Sequence, residues 1–248
     1  MVMFYFSGTG NSKHIAELFS ANMNAACHSI EEERDFTELV EANETIAFCY
    51  PVYMSRVPRI MREFVGKYME SLESKKVIIF CTQMLLSGDG ARAFAVLFPR
   101  NYVETIYAEH FFMPNNVTNV FILPETSGKL IKKYLQCSER KMGKVCSDIS
   151  VGKIKKRGFN VGSRALGLIQ GVFLSAAEKK ANNSVKITSD CTKCGICVKV
   201  CPMDNLVYEN EITHRHNCTM CYRCINKCPH KAITVVFHGK VKKQYTRV

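Results

Sequence analysis

The stretch MVMFYFSGTGNS, residues 1–12, decides the fold of the first part of the chain. Its first six residues form a continuous apolar run, which is typical of a strand buried on both faces of a sheet. A turn rich in Gly, Ser and Thr follows, and Ile15, Leu18 and Phe19 then recur at helical spacing. The pattern predicts a strand–loop–helix unit with the loop residues Ser7, Gly8, Thr9, Gly10, Asn11 and Ser12.

The loop is suited to an anion. Backbone N–H groups, hydroxyls and the positive end of a helix dipole would all meet a phosphate there. The loop lacks the Lys of a Walker loop and the third Gly of a dinucleotide loop, so it indicates neither a nucleoside triphosphate nor a dinucleotide. An ordinary turn capped by Asn or Ser is the alternative interpretation.

Strand and helix patterns alternate through residue 113. Further buried-strand candidates cover residues 45–50, 77–81 and 102–112, and helical patterns cover residues 11–22, 58–72 and 90–98. Such alternation predicts an α/β fold with a parallel sheet and right-handed crossovers.

Residues 126–181 differ in composition, because they are rich in Lys and predict helices interrupted near Gly143 and within residues 152–162. The stretch SRALGLIQGVFLSAAEKK, residues 163–180, predicts an amphipathic helix. We favour a packing helix between two domains over a helix that lies on a membrane surface. Residues 182–189 then form a linker or a first strand of the next domain.

Eight of the thirteen cysteines stand in two runs of identical spacing, C-x2-C-x2-C-x3-C-P, 27 residues apart. The chain is long, its cysteine count is odd and no export signal is recognisable, so metal binding is a better interpretation than disulfides. The other five cysteines are interpreted as small buried or incidental thiols. The predicted metal ligands are Cys191, Cys194, Cys197, Cys201, Cys218, Cys221, Cys224 and Cys228.

This spacing is that of an iron–sulfur cubane, which needs four thiolates at the corners of a tetrahedron. Three closely spaced cysteines reach one cluster, and in this motif the fourth ligates the other cluster. One cluster therefore takes Cys191, Cys194, Cys197 and Cys228, and the other takes Cys218, Cys221, Cys224 and Cys201. Two zinc sites are the alternative, but they leave the additional in-register cysteines unexplained.

Residues 190–235 resemble the bacterial two-[4Fe–4S] ferredoxin domain, and the loop at residues 7–12 resembles the S/T-x-T-G-x-S/T loop of flavodoxins. The flavodoxin resemblance covers roughly residues 1–150 and implies a doubly wound sheet of order 2-1-3-4-5 that binds FMN at the carboxyl ends of its strands. It also implies that two further loops contact the flavin, through Pro51, Val52, Tyr53, Met54, Thr82, Gln83, Met84, Ser87, Gly88 and Asp89. Tyr53 is the candidate for stacking on the ring.

The whole arrangement resembles the flavodoxin–ferredoxin fusion proteins of anaerobic bacteria and archaea, often labelled EFR-type ferredoxins. It predicts a flavodoxin-like domain over residues 1–150, a basic helical connector over 151–183, and a small α+β two-cluster ferredoxin domain over 184–248. The chain departs from flavodoxins in having no Trp and no strongly acidic surface.

The charge is uneven. Residues 126–190 carry 14 basic and 4 acidic residues, a net charge of +10 within a total of +12. No nucleic-acid motif accompanies these charges, so we expect no nucleic acid as a partner. Lys153, Lys155, Lys156 and Arg157 form the densest group, and they predict a docking surface for an acidic redox partner.

These patterns predict intramolecular electron transfer between two [4Fe–4S] clusters and FMN, which couples one-electron and two-electron redox partners. The alternative is a flavin-dependent reductase of a small substrate that is fed through the clusters, although no catalytic acid or base stands out. A nucleic-acid-binding protein with structural clusters is a further alternative. No apolar run is long enough to span a membrane, and a cytoplasmic location is expected.

Overall fold

A computed structural model describes residues 1–85, 87–120, 123 and 127–245, with only the backbone described at residues 173–175. The chain divides into two compact units. The first contains Met1–Ser7, Asn11–Pro114 and Gly128–Val172, and the second contains Gly8–Gly10, Asn115–Ser127 and Phe173–Val248. The predicted domain boundaries at residues 150 and 183 stay a prediction.

The first unit is a parallel sheet with helices. Its strands are β1 (Val2–Tyr5), β2 (Ala26–Ser29), β3 (Thr45–Pro51), β4 (Lys76–Gln83), β5 (Glu104–Phe112) and β6 (Lys155–Lys156). Its helices are α1 (Asn11–Met23), α2 (Thr37–Glu41), α3 (Arg59–Lys67), α4 (Gly90–Ala95) and α5 (Gly128–Ser150), with the first half of α6 (Val161–Asn183). The described strands are ordered β2-β1-β3-β4-β5-β6, which confirms the predicted flavodoxin-like order and adds a short sixth strand at the edge.

The core of this unit lies along the central strands. Met3, Ala47 and Ile78 on adjacent strands are fully buried, as expected for a sheet covered on both faces. Helix α5 packs into the same core through Met142, Val145 and Cys146. The Lys-rich segment after residue 126 therefore begins with a helix of the sheet unit.

Three local predictions need correction. Helix α5 runs unbroken past Gly143, because a single glycine costs only about 1 kcal/mol in a helix and the packed face of α5 continues on both sides of it. The helix predicted for residues 58–72 ends at Lys67 and is followed by a short 3₁₀ turn, Glu70–Leu72. Strand β2 was not located from the sequence, since it lies at the edge of the sheet and its residues are partly exposed.

The second unit is small and α+β in character. After the end of α6 it contains β7 (Lys186–Ile187), α7 (Ile196–Lys199), β8 (Leu206–Tyr208), β9 (Ile212–His214), α8 (Arg223–Lys227) and β10 (Ile233–Thr234). Strand β7 pairs antiparallel with β10, and β8 pairs antiparallel with β9. Leu206, Ile212 and Ile233 form its apolar core, against which several of the motif cysteines pack.

No helix among the described residues is long and apolar enough to cross a membrane.

Candidate cofactor sites

The loop between β1 and α1 has the geometry that an anion site requires. Helix α1 starts at Asn11, directly after the turn, and runs for 13 residues. Gly10 has a φ of 96°, a left-handed conformation that glycine adopts without steric cost. Ser7, Thr9 and Ser12 are all buried. The loop therefore combines a helix N-terminus with several buried hydroxyls, which fits a phosphate.

Hydrogen bonds to other segments hold the side chains of this loop. Ser12 Oγ lies 2.8 Å from Thr82 Oγ1 at the end of β4, so two predicted cofactor residues meet. Asn11 Nδ2 donates to the carbonyl oxygen of Pro114 at 2.9 Å. Within the second unit, Asn116 Nδ2 donates to Thr9 Oγ1 at 3.1 Å. Sequence reasoning missed Asn116, because nothing in the local pattern relates it to residue 9.

The loop after β3 makes a tight turn. Tyr53 N donates to the carbonyl oxygen of Arg56 at 3.1 Å, and Arg56 N donates to that of Tyr53 at 2.9 Å. Met54 and Ser55, which lie between them, both have positive φ. Val52 N donates to the carbonyl oxygen of Thr82 at 3.0 Å, which ties the start of the turn to β4. Pro51 pairs with Thr82 in the sheet, so this loop and the next leave the same edge.

The loop after β4 is bonded to its neighbours through several side chains. Gln83 Oε1 accepts from Ser87 Oγ, which also lies 3.2 Å from His110 Nδ1. Met84 is half-buried, Gly88 is buried, and Leu86 lies outside the described residues.

Contacts join the loops after β3 and β4 into one structure. Gly88 N donates to Ser55 Oγ at 2.6 Å. The carboxylate of Asp89 is 1% exposed and accepts from Arg56 at 3.1 Å and from Arg92 at 2.9 Å. Asp89 was predicted as a flavin contact, and both of its carboxylate oxygens accept from arginines. Arg56 and Arg92 were missed, because the sequence around an arginine does not reveal its partner.

A buried carboxylate lies on β5 beside these loops. Glu109 is fully buried and accepts from Lys155 at 2.6 Å, from Lys141 at 3.0 Å and from Arg157 at 3.3 Å. Burial alone would raise the pKa of the Glu109 carboxyl, but the bond from Lys155 and the charge of Lys141 hold it at about 2. Burial and the charge of Arg157 lower the pKa of the neighbouring His110 to about 4.

This network corrects the prediction for residues 153–157. The sequence suggested four cations without local compensation, but Lys155 and Arg157 bind Glu109, and Lys153 binds Asp148 at 3.0 Å. Their carboxylate partners lie outside the helical i,i+4 window that the sequence offers, so they could not be seen from it. Lys156 is also exposed, and it pairs with Ala108 in the sheet as part of β6.

Two cavities in the second unit collect the eight motif cysteines. One is lined by Cys191, Cys194, Cys197 and Cys228. The other is lined by Cys201, Cys218, Cys221 and Cys224. Each cavity therefore draws three cysteines from one run and the fourth from the other, the same grouping that the motif predicts.

The 27-residue repeat is also a repeat of backbone conformation. Positive φ angles occur at Lys193 and Met220, at Gly195 and Tyr222, and at Asp204 and Lys231, three pairs at the same spacing. Backbone N–H groups at equivalent positions donate to cysteine sulfurs at 3.3 to 3.4 Å, namely Lys193 to Cys191, Met220 to Cys218, Asn205 to Cys201 and Ala232 to Cys228. N–H···S bonds of this kind stabilise thiolates and tune cluster potentials.

Burial makes two of these thiols poor acids on their own. It raises the pKa of Cys221 to about 12 and raises the pKa of Cys224 well above its ordinary value. A ligand thiol must lose its proton, so metal binding has to compensate for this burial. Four thiols with donated N–H groups around each cavity fit a cubane. Among the described residues, no group of three or more His, Cys, Asp or Glu side chains is close enough together to hold a single metal ion.

A parallel sheet of this order, with a phosphate-type loop after β1 and a cysteine-rich α+β unit, defines a flavodoxin-type protein joined to a dicluster iron–sulfur module. The comparisons agree with this class. The family described as "Flavodoxin domain" matches residues 2–155, and the "4Fe-4S dicluster domain" matches residues 190–233. The first match spans more than half of the chain, which therefore belongs to the flavodoxin domain family.

Comparison with solved structures gave matches that include the following three. A WrbA-like flavodoxin from Agrobacterium tumefaciens is 19% identical, covering 61% of this chain and 98% of its own, with a TM-score of 0.42. General stress protein 14 from Treponema denticola, in complex with FMN, is 10% identical, with 60% and 97% covered and a TM-score of 0.44. The two-electron reduced flavodoxin from Megasphaera elsdenii is 18% identical, with 56% and 99% covered and a TM-score of 0.40. A search of curated proteins found no match.

The two domain families determine the cofactors, which are FMN and [4Fe–4S] clusters. Both families support electron transfer as the general role of the chain.

Proposed function

We propose that this chain transfers electrons internally between two [4Fe–4S] clusters and FMN, and so couples one-electron to two-electron partners. One observation carries the proposal: residues Gly8–Gly10 of the phosphate loop belong to the same compact unit as the eight motif cysteines. Bound FMN exchanges one or two electrons, whereas a cubane exchanges one.

The cluster ligands in this proposal follow the two cavities. Cys191, Cys194, Cys197 and Cys228 hold one cluster, and Cys201, Cys218, Cys221 and Cys224 hold the other. The N–H groups of Lys193, Asn205, Met220 and Ala232 donate to the sulfurs and help to neutralise their charge.

The flavin ligands in this proposal are those that the flavodoxin resemblance implies. The loop Ser7–Ser12 holds the phosphate through N–H groups and hydroxyls, and Thr82 supports it through Ser12. The loops after β3 and β4 hold the ring, with Tyr53 as the stacking residue.

Within the second unit, Arg223 connects the cysteine loop to Gly8 of the phosphate loop. This residue stands between the ligands Cys221 and Cys224, and its Nε donates to the carbonyl oxygen of Gly8 at 3.2 Å. Its guanidinium also donates to the carbonyl oxygen of Val200 at 3.2 Å. A Cβ added at Gly8 would overlap the carbonyl oxygen of Cys221, so a glycine is needed there. We infer that Arg223 keeps the cysteine loop and the phosphate loop in register.

The test is anaerobic reduction of the reconstituted chain with a limiting amount of a one-electron reductant, followed by stopped-flow absorbance of flavin and clusters. Transfer within one chain should proceed at a rate that does not depend on protein concentration. A rate that rises in proportion to concentration would mean that electrons pass between molecules, and it would contradict the proposal.

We further infer an acidic redox partner and a cytoplasmic location, where reducing conditions suit these clusters. For this docking surface we infer exposed basic residues of α5, such as Lys132 and Lys133, since three of the four cations at residues 153–157 form ion pairs within the chain. Reversing Lys132 and Lys133 to Glu should slow reduction of an acidic rubredoxin, used as a probe acceptor. The wild-type rate should also fall as salt rises from 0.01 to 0.15 M and the Debye length shrinks from about 30 to about 8 Å. A rate that responds to neither change would rule out this docking surface.

A further inference from the structure

The first half of helix α6 packs on the loops after β3 and β4 in an unusual way. The side-chain oxygen of Gln170 accepts from Gly88 N at 3.1 Å and from Ser55 Oγ. One amide oxygen thus bonds to both loops. Ser55 is buried and also accepts from Gly88 N, so the three groups form a closed set of hydrogen bonds.

The backbone of α6 approaches these loops at van der Waals distance. A Cβ added at Gly167 would overlap the carboxylate of Asp89, and one added at Gly171 would overlap the guanidinium of Arg56. From the other side, a Cβ added at Gly88 would overlap the backbone nitrogen of Gly167. The two helix glycines are four residues apart and therefore share one face, and no larger residue fits there without displacement.

The opposite face of α6 is apolar and exposed. Leu168 and Ile169 are each 63% exposed, and Val172 is 71% exposed. A surface helix normally buries its apolar stripe and exposes its polar face. Within residues 161–172 the glycine and amide face is the buried one, and no large apolar side chain of this half of the helix is fully buried. Its position depends on close backbone approach and on the bonds of Gln170.

We propose that the first half of α6 closes the ring end of the flavin site, with Gln170 as a positioning residue that locks the two ring loops together. The inference rests on the proposed function, because it takes these loops as the ones that hold the ring. A closed ring end retards release of FMN and excludes small solutes. It thereby favours electron exchange through the cysteine sites over exchange with diffusing molecules.

The test compares four FMN-loaded proteins: wild type, Gly167→Leu, Gln170→Ala and the control Ile169→Ala on the exposed face. The first readout is the rate of FMN release, followed by the rise in free-flavin fluorescence after dilution. The second is quenching of bound-flavin fluorescence by iodide. Gln170→Ala inserts no larger side chain, so it keeps the test valid if Gly167→Leu fails to fold.

We expect FMN release from Gln170→Ala to be roughly thirtyfold faster, since about 1 kcal/mol is lost for each of two hydrogen bonds. Iodide should quench this variant and Gly167→Leu more than wild type, and Ile169→Ala should behave as wild type. Equal release and equal quenching in all four proteins would overturn the inference alone. A wild-type chain that takes up no FMN would overturn the proposed function as well.

Discussion

Lys155 Nζ lies 2.6 Å from Glu109 Oε2, and this pair joins the end of the basic segment to a carboxylate that is fully buried on β5. Two more cations, Lys141 and Arg157, bind the same carboxylate. The contact fixes β6 against the sheet and hence the point at which α6 begins.

Replacing the buried carboxylate should therefore be costly. We expect Glu109→Gln to lower the free energy of unfolding by roughly 3 kcal/mol, because three cations lose their common partner. Glu104→Gln, at an exposed position of the same strand, should change it by less than about 0.5 kcal/mol. Urea denaturation at neutral pH measures both. Equal effects would show that the ion-pair network contributes little.

The buried imidazole of His110 should make stability depend on pH. Its pKa is about 4 in the folded chain, below its ordinary value of 6.5, so the unfolded chain binds the proton first as pH falls. The stability contributed by neutral His110 is present above pH 6.5 and is lost as pH falls toward 4. Between pH 7 and pH 5 the loss should be about 1 to 2 kcal/mol.

The measurement for His110 is urea denaturation at both pH values, with His110→Gln as the matched variant. Gln cannot take up the proton, so this part of the pH dependence should disappear. An unchanged difference between pH 7 and pH 5 in the variant would assign the effect to other groups.

The crossed grouping of cysteines makes a prediction about which cluster is lost. Cys201→Ala should damage the cluster held by Cys218, Cys221 and Cys224 and leave the sequence-adjacent one largely intact. Anaerobic iron analysis should find about eight irons in wild type and about half of them in the variant. Cys137→Ala, at an exposed position on α5, is the control and should retain all of the iron. Spectroscopic loss of the other cluster would show that the grouping is wrong.

The phosphate loop should distinguish FMN from riboflavin. Thr9→Ala should weaken FMN binding by roughly 1.5–3 kcal/mol, the usual range for a hydrogen bond to a charged acceptor. The same change should leave riboflavin, which binds more weakly from the outset, nearly unaffected. Both flavins are titrated into wild type and Thr9→Ala, which gives the four affinities of a double-mutant-type cycle. An equal loss of affinity for FMN and riboflavin would show that Thr9 does not act on the phosphate.

Arg223 should affect electron transfer without affecting cofactor content. Arg223→Met removes its bonds to Gly8 and Val200, and we expect the intrachain rate to fall about tenfold as roughly 1.5 kcal/mol or more of positioning energy is lost. Arg215→Met, at an exposed position, is the control. Iron and FMN contents should stay at wild-type levels in both. An unaltered rate in Arg223→Met would show that the hydrogen bonds of Arg223 do not affect electron transfer.

Much of the fold was accessible from the sequence, because its signals are local. The apolar run before Ser7 and the helical spacing after it predict β1 and α1. The 27-residue repeat of the cysteines is matched by a repeat of the backbone conformation of the loops that carry them. The predicted strand order is confirmed, while β6 has only two residues and too short a pattern to be detected.

What the sequence did not predict depends on contacts between distant residues. Glu109 and Lys155 are 46 positions apart, and Ser55 and Gln170 are 115 positions apart. The helix α6 was predicted, but its periodicity suggested that the apolar side would be the buried one. The glycines at positions 167 and 171 are the sequence signal of close packing, but a glycine does not indicate which residues pack against it.

The grouping of cysteines also has a consequence for the order of events during synthesis. The cavity lined by Cys191, Cys194 and Cys197 also requires Cys228, so its fourth cysteine is not present until both runs have left the ribosome. Until Cys228 is synthesised, the thiols of Cys191, Cys194 and Cys197 lack their fourth cysteine and can react with oxidants or bind other metal ions. In the proposed ligation neither cluster can be completed before both runs have been synthesised, so we expect both clusters to be inserted only after the whole module is present.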